Sequence, residues 1–396
     1  MKSYASSLKA IKEKYIESID KKIEDLKPLL GETGLPHVAF IKPFGDKAAE
    51  SYINSKRNIF RKLGVPSIVI NTPEDADNAY MSKLVNDLNE VKIPSLIQLP
   101  LAKGLDENVI QGLEDGLDLD RLAKIALMEQ NTGDVNILYP CTAAGVLVIL
   151  LNWIKEKNII PDFEAEPDIY PYGLNNKLLA GIPIAVIGRG SLSGRPISRM
   201  LQDLGATVKC LNSLTDPSYI KEVIRESKIV VSCTGNHGII VDHMYEGITE
   251  PRLLIDVGVY VDENGKVHGD LDKKVSEVAD KLRIELRDLR DKIDRAIIQL
   301  ESPEISAYQK MLLESQIVAM KEYATILSQR ISNLDTVSGE NGYYTPSVGG
   351  VGPMTVYSVA FNYAELLNRK EVREDIMSVT DKVTKLTEKG YDISKQ

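Results

Sequence analysis

Two glycine-rich stretches carry most of the chemistry legible in this 396-residue chain. The first, Gly188-Arg-Gly-Ser-Leu-Ser-Gly194-Arg-Pro196, follows the apolar run Ile184-Ala-Val-Ile187 and precedes an amphipathic helix carrying Ile197, Met200, Leu201 and Leu204. Strand, glycine turn and helix in that order aim the free amides of a helix start at an anion, as binding a dinucleotide pyrophosphate requires. The second, Thr345-Pro-Ser-Val-Gly-Gly-Val-Gly-Pro-Met-Thr355, places three glycines and two prolines in eleven positions. It predicts a fixed loop that gives up side chains to lie flush against a flat ligand, although alone it also fits an ordinary turn. Tyr52 and Lys56 stand at i and i+4 and share one helix face, so both can look into one cleft. By themselves they also read as a half-buried tyrosine beside a lysine reaching to solvent.

Alternating strands and helices must position these groups. Residues 5–30 carry Leu8, Ile11, Tyr15, Ile16, Ile19, Ile23 and Leu26 at helical spacing and stop at Gly31-Glu-Thr-Gly34. Strand His37–Ile41, a helix around 46–63, strand Ser67–Ile70, a helix around 74–90, strand Ser95–Leu99 and a helix around 106–114 follow, which is βαβα order and predicts a mostly parallel sheet. A helix near 143–156 carries the chain across to a second unit, and residues 157–180, with Pro161, Pro167 and Pro171, read as an exposed loop between the two. There Thr207–Cys210, Ile229–Ser232 and Leu253–Val257 supply further strands, predicting a Rossmann-type α/β unit.

Composition narrows the function classes. With 43% hydrophobic and 27% charged residues the chain can bury a sizeable core and form two domains. No apolar run approaches the ~20 residues that span a bilayer, and the amino terminus lacks a signal-peptide core, so the expectation is a cytoplasmic protein with no membrane role. Three separated cysteines (Cys141, Cys210, Cys233) and four histidines support neither a disulfide framework nor a metal site. A net charge of −9 argues against a nucleic-acid surface.

The ordered set Tyr52-x-x-x-Lys56, Gln98-Leu-Pro-Leu101, Asp118-Leu-Asp120, Pro140-Cys-Thr-Ala-Ala-Gly145, Gly188-Arg189 through Gly194-x-Pro196, Asp256-Val-Gly258 and Gly349-Gly-Val-Gly-Pro-Met-Thr355 resembles the methylenetetrahydrofolate dehydrogenase/cyclohydrolase family over most of 35–272 and 343–365. The resemblance implies two α/β domains around a cleft: a folate-binding catalytic unit at 1–150, closed by the helix 354–368, and an NAD(P)-binding Rossmann unit at 151–353. It implies an oxidoreductase and hydrolase of one-carbon metabolism acting on tetrahydrofolate derivatives, and a homodimer formed through the dinucleotide-binding units. Within it Tyr52 stacks on the pterin, Lys56 is the catalytic lysine, Gln98 holds that lysine and Asp120 takes the pterin donor edge. Without it, Gln98 is a polar strand end and Asp120 a helix cap. Leu99, Pro100, Val351, Gly352 and Pro353 complete the substrate side. Thr142, Gly188, Arg189, Gly190, Ser191, Gly194, Ser213, Thr234, Gly235, Val257 and Gly258 form the cofactor side. Arg189 and Ser213 suit a ribose 2′-phosphate, and Asn212-Ser213-Leu214 offers no carboxylate for a bare ribose, which favours NADP over NAD although Asp216 lies three residues on.

Against the family pattern, Arg121, Ala143, Gly190, Ser193, Asn212 and Val348 are departures, touching the phosphate turn and the loop. The largest is an insertion at about 274–338. Leu282, Leu286, Leu289, Ile293, Ala296 and Leu300 step by four and three, as do Leu313, Ile317, Met320, Ala324, Leu327, Ile331 and Leu334, with Ser302-Pro303 as the break. Two heptad segments so joined predict an antiparallel helical hairpin of coiled-coil type, either packed on its own body or serving as an oligomerisation or partner arm. Residues 369–396 read as a charged, peripheral helical extension. For function, the leading expectation is a bifunctional NADP-dependent dehydrogenase and cyclohydrolase. The alternatives are a member that has lost one or both activities and serves as a folate-binding or assembly protein, and another Rossmann oxidoreductase. Either Lys42 or Lys103 could meet the anionic tail of a folate, and the sequence does not select between them.

Overall fold

The computed structural model describes residues 2–45, 47–129, 132, 134, 137–161, 163, 176–236, 238–241, 250–262, 267–272, 274–300, 305–337, 342–346 and 349–395. β1 (Lys2–Ser3) leads into α1 (Ala5–Leu30), which buries Leu8, Ile11, Tyr15, Ile19, Ile23 and Leu26 along one stripe. β2 (Val38–Lys42), α2 (Lys47–Lys62), β3 (Ser67–Asn71), α3 (Asn78–Glu90) and β4 (Ser95–Ile97) follow in the expected alternation. The helix expected at 106–114 is instead a 3-10 helix, Glu107–Gly112, started by Asp106, whose carboxylate accepts from the Asn108 amide at 2.9 Å. With Gly112 at its end, this stretch is too short and too polar to propagate an α-helix. α4 (Lys124–Glu129) and α5 (Cys141–Glu156) complete this part. α5 is apolar on nearly every side, and is accordingly buried all round.

β5 (Pro183–Ile187), α6 (Gly194–Asp203), β6 (Thr207–Leu211), α7 (Pro217–Glu226), β7 (Ile229–Ser232), β8 (Ile240–Val241) and β9 (Arg252–Asp256) come next. The short β10 (Tyr260–Val261), β11 (Val267–His268) and β12 (Leu271–Asp272) precede the helices α8 (Lys274–Leu300) and α9 (Ala307–Val337). After them come β13 (Gly342–Tyr344), α10 (Val351–Asn368), α11 (Lys370–Met377), α12 (Lys382–Glu388) and β14 (Asp392–Lys395).

Two sheets organise this α/β chain. One runs β1-β13-β9-β7-β5-β6 with every pairing parallel, and the other β14-β3-β2-β4 with only β14 antiparallel. A continuous apolar cluster joins residues of α1, α5, α10 and both sheets. The carboxyl-terminal segment departs from its reading as a peripheral helix. It forms two short helices and then a strand that covers the edge of β3, with Leu386 and Tyr391 buried and the Tyr391 hydroxyl on Asp87.

α8 and α9 form the expected antiparallel hairpin. Leu282 and Leu286 pack with Leu327 and Ile331, and Ile293 and Ala296 with Ile317. Among the described residues, both clusters contain hairpin residues alone. Ser302-Pro303, Ser347 and Val348 lie outside the described residues, as does 164–175 of the expected loop.

Candidate active site

The carboxyl ends of β2 and β4 and the starts of α4 and α5 converge on one small group of side chains. Lys56, on α2, is 6% exposed and donates from Nζ to Gln98 Oε1 at 2.6 Å. Gln98 lies just past β4, its amide bonded to Ile41 O of β2 and its Nε2 donating to Leu99 O at 2.7 Å, so the side-chain oxygen has to face the lysine. Leu99-Pro100 is a cis peptide, and Pro100 is exposed. Tyr52, one turn ahead of Lys56 on the same face of α2, is 41% exposed.

Asp118 and Asp120 divide roles that sequence alone could not separate. Asp118 makes the cap: its carboxylate accepts from Ala123 N at 2.7 Å and Asp120 N at 3.1 Å. Burial pushes its pKa up to about 6. Asp120 is left to act on Lys56. Burial drives the Asp120 carboxyl upward and the Lys56 ammonium downward, while their opposite charges resist both shifts. The Cys141 thiol, pushed well up by burial and the Asp120 charge, stays protonated and donates to Leu119 O at 3.2 Å. Asn362 of α10 donates to that same carbonyl at 3.1 Å and reaches the Cys141 sulfur at 3.3 Å.

Arg121, which stands where the family pattern has glycine, has φ +59. A side chain in that region costs roughly 1–2 kcal/mol. Its fully buried guanidinium offsets this by pairing with Asp115 and Glu129, each at 2.7 Å.

The second glycine stretch is only half a loop. Val351, Gly352 and Pro353 are the first turn of α10, where proline is tolerated because its missing amide would be unpaired in any case. Gly349 has φ +81 and its carbonyl accepts from Lys12 Nζ at 2.5 Å. A Cβ on Gly350 would fall 2.1 Å from Pro346 O. Gly352 is exposed with nothing within 4 Å of a Cβ, leaving an open backbone surface. Thr345 ties this turn to the neighbouring strand end, accepting from Asp256 N at 2.9 Å and donating its amide to Leu254 O.

The remaining residues line the carboxyl edge of the six-stranded sheet: Gly188 through Gly194 after β5, Ser213 after β6, Thr234 and Gly235 after β7, Val257 and Gly258 after β9. In an open parallel sheet this row is where ligands bind. A Cβ on Gly188 (φ +104) would lie 2.6 Å from Cys233 O, and one on Gly194 2.2 Å from Gly188 O, so the turn admits only backbone. α6 starts at Gly194 with no side-chain cap on its amides. Such a cradle fits a dinucleotide pyrophosphate. Arg189, Gly190, Ser191 and Ser213 are exposed at its rim, and Thr142 is half-buried in the first turn of α5. Asp216 caps α7, accepting from Ser218 N at 2.8 Å. Sequence reasoning passed over Asp270, whose carboxylate accepts from Ser232 Oγ and Thr234 N, and whose own amide donates to Asp256. Nor did it give Cys141 a place beside Lys56. Of the two tail candidates, Lys42 lines a hollow of about 530 Å³ with Asn71, Thr72, Tyr80 and Asp392, sharing no lining residue with the Lys56 cluster, and Lys103 is exposed.

A two-sheet α/β protein with a buried lysine site on one sheet and a dinucleotide-type cradle on the other is the class these features define. The model described as tetrahydrofolate dehydrogenase/cyclohydrolase, catalytic domain, matches residues 7–116, and the one for the NAD(P)-binding domain matches 174–283. A third, described as Sequestin, matches 276–333, within the hairpin. The bifunctional protein FolD of Macrococcus caseolyticus is 30% identical over 277 residues, covering 68% of this chain and 86% of that protein. Its counterpart from Staphylococcus haemolyticus is 28% identical over 281 residues, with the same coverage. Among solved structures, the bifunctional enzyme FolD of Campylobacter jejuni aligns with TM-score 0.63 at 22% identity, covering 92% of this chain and 98% of that one. The Trypanosoma brucei enzyme, complexed with NADP and an inhibitor, aligns with TM-score 0.63 at 20% identity, covering 93% and 97%. The chain belongs to the tetrahydrofolate dehydrogenase/cyclohydrolase family.

Proposed function

We propose that this chain oxidises methylenetetrahydrofolate with NADP and hydrolyses the resulting methenyltetrahydrofolate to formyltetrahydrofolate, both in the cleft beside Lys56. The observation that carries this reading is the buried Lys56 amine held at 2.6 Å by Gln98 and balanced by Asp120. Tyr52 stacks on the flat pterin, Asp120 receives its donor edge, and Leu99, Pro100 and the Val351–Pro353 turn line the ring. Arg189 and Ser213 hold the 2′-phosphate, the 188–194 cradle holds the pyrophosphate, and Thr142, Thr234, Gly235, Val257 and Gly258 complete the pocket. When bound, NADP supplies the hydride acceptor for the methylene carbon. The residues contribute alignment to that step, which needs no acid or base.

Hydrolysis does need one. Water adding to the cationic methenyl carbon releases a proton, and ring opening then requires a proton at the departing nitrogen. Burial lowers the Lys56 pKa, which brings its amine form within reach, and the same group can accept the first proton and return the second. Gln98 keeps the amine aimed, and Asp120 keeps its charged form accessible. A member that had lost its chemistry would have no need of this balanced arrangement, which speaks against the binding-only alternative.

The enzyme works in the cytoplasm as a homodimer joined through its dinucleotide-binding unit (151–353), with the hairpin as an additional arm and 1–150 as the folate unit. Among the described residues no helix is long and apolar enough to cross a membrane. The test is spectrophotometric: methylenetetrahydrofolate with NADP should give cofactor reduction without persistent methenyl absorbance. Absence of reduction with either NADP or NAD rejects the dehydrogenase, and methenyl product that accumulates and stays rejects the cyclohydrolase.

A further inference from the structure

α9 has two apolar faces where a two-helix hairpin can bury only one. The inner face carries Ile317, Leu327 and Ile331 against α8. A second heptad row runs along 308, 312, 315, 319, 322 and 326, on nearly the opposite side of the helix. There Tyr308 is 67% exposed, Leu312 50% and Ile326 51%, flanked by Met311, Val318 and Tyr323 at 52%, 57% and 41%. At the centre of the row sit the small exposed Ser315 and Ala319, and Glu322 is its one charged member. The outer face of α8 is more charged, with Arg287, Asp288, Arg290, Asp291, Asp294 and Arg295 in solvent around two exposed isoleucines, Ile284 and Ile298. Among the described residues, the hairpin's buried clusters contain none from the rest of the chain.

We propose that this outer row is a self-association face, on which a second copy of the chain lays its own α9 antiparallel, joining two hairpins into a four-helix bundle. The row is self-complementary under a two-fold axis, as an isologous contact requires. Crossing between Ser315 and Ala319 lets the backbones approach closely, sets Tyr308 against the partner's Ile326 and Met311 against the partner's Tyr323, and puts the charged Glu322 beside the partner's Leu312. The row is about 27 Å long at 1.5 Å per residue. Six large side chains exposed by about half leave roughly 600 Å² per copy, so a pair buries roughly 1,200 Å², the lower end for a specific stable interface. A patch of that size is also at the upper end of what a monomer leaves in water. The proposal rests on the hairpin being an arm and is independent of the enzymatic reading.

The experiment measures the mass of the full chain by light scattering and sedimentation over a dilution series, with helicity followed by circular dichroism. Leu312→Glu/Ile326→Glu should lower the assembled mass twofold and raise the dissociation constant about 100-fold or more. Ile284→Glu, on the outer face of α8, should leave the mass unchanged. If the glutamate variant loses helicity, Leu312→Ser/Ile326→Ser is read in the same way. A helical α9 variant that keeps the wild-type mass, a control that falls equally, or a wild-type chain that stays single throughout overturns the proposal; the last two outcomes point to a different occupant or to none.

Discussion

Replacing Lys56 by methionine separates the two reactions assigned to one cleft. Methionine keeps much of the side-chain volume in a site where Lys56 is 6% exposed, so the packing around α2 is largely retained. What is lost is the amine 2.6 Å from Gln98 Oε1 and its charge opposite Asp120. Leaving Gln98 Oε1 without its donor costs about 1–3 kcal/mol of stability. Removing the group that moves both protons in hydrolysis lowers that rate about 10²–10⁴-fold. That corresponds to about 3–5 kcal/mol on the barrier. Hydride transfer has no proton to move, so dehydrogenase turnover should stay within about tenfold of the parent, a loss of about 1.4 kcal/mol or less. Cofactor reduction is followed in the near ultraviolet and hydrolysis by the decay of methenyl absorbance. Unchanged hydrolysis in the variant refutes the proton-handling role, and equal collapse of both rates in a folded variant refutes the division between them.

Other outcomes follow from the same geometry. Arg121→Ala should destabilise the chain by about 2–4 kcal/mol in denaturant titrations, because Asp115 and Glu129 lose the guanidinium between them while the left-handed φ persists. Arg121→Gly should be about 1 kcal/mol milder, since glycine accepts φ +59, and the reverse order contradicts the strain argument. Asp118, with its folded pKa raised to about 6 from 3.8, holds its proton in the folded chain while the unfolded chain has released it. Its contribution is therefore fully present below about pH 4 and is lost as pH rises through 6, by about 3 kcal/mol in order of magnitude. The stability of Asp118→Asn relative to the parent should improve across that window, and a flat difference refutes the burial cause. Arg189→Ser with Ser213→Asp should raise the NADP KM about 10–100-fold and narrow the gap to NAD with kcat little changed, each lost charged hydrogen bond being worth about 1.5–3 kcal/mol; an unaltered preference removes these two from the 2′-phosphate site.

Much of this architecture was legible because its strands are short apolar runs and its helices carry clean stripes. Ile184–Ile187, the glycine turn and the α6 stripe announced the cradle, and Leu282 through Leu334 announced the hairpin. β1 and β14 were not legible. Lys2, Ser3, Asp392, Ser394 and Lys395 show no apolar run, and they become strands by hydrogen-bonding to the free edges of β13 and β3. The Val351–Pro353 turn looked like loop because its proline and glycine disfavour helix interiors, whereas a first helical turn tolerates both. In the lysine site, the Tyr52-x-x-x-Lys56 spacing exposed the shared face. The separation of Asp118 from Asp120 depended on where α4 begins. Asn362 reaches Leu119 and Cys141 from more than two hundred residues away, a contact that no local pattern encodes. Arg121 looked like a plain departure until its φ showed why glycine would suit that position.

The central claim, one cleft performing both reactions with Lys56 needed for the second, is tested most directly by a single time course. Methylenetetrahydrofolate and NADP are mixed with the parent protein and with Lys56→Met, and reduced cofactor and methenyl absorbance are recorded together. The account predicts cofactor reduction by both proteins, with methenyl product transient for the parent and accumulating for the variant. Cofactor reduction by neither protein, or identical methenyl traces from the two, contradicts it.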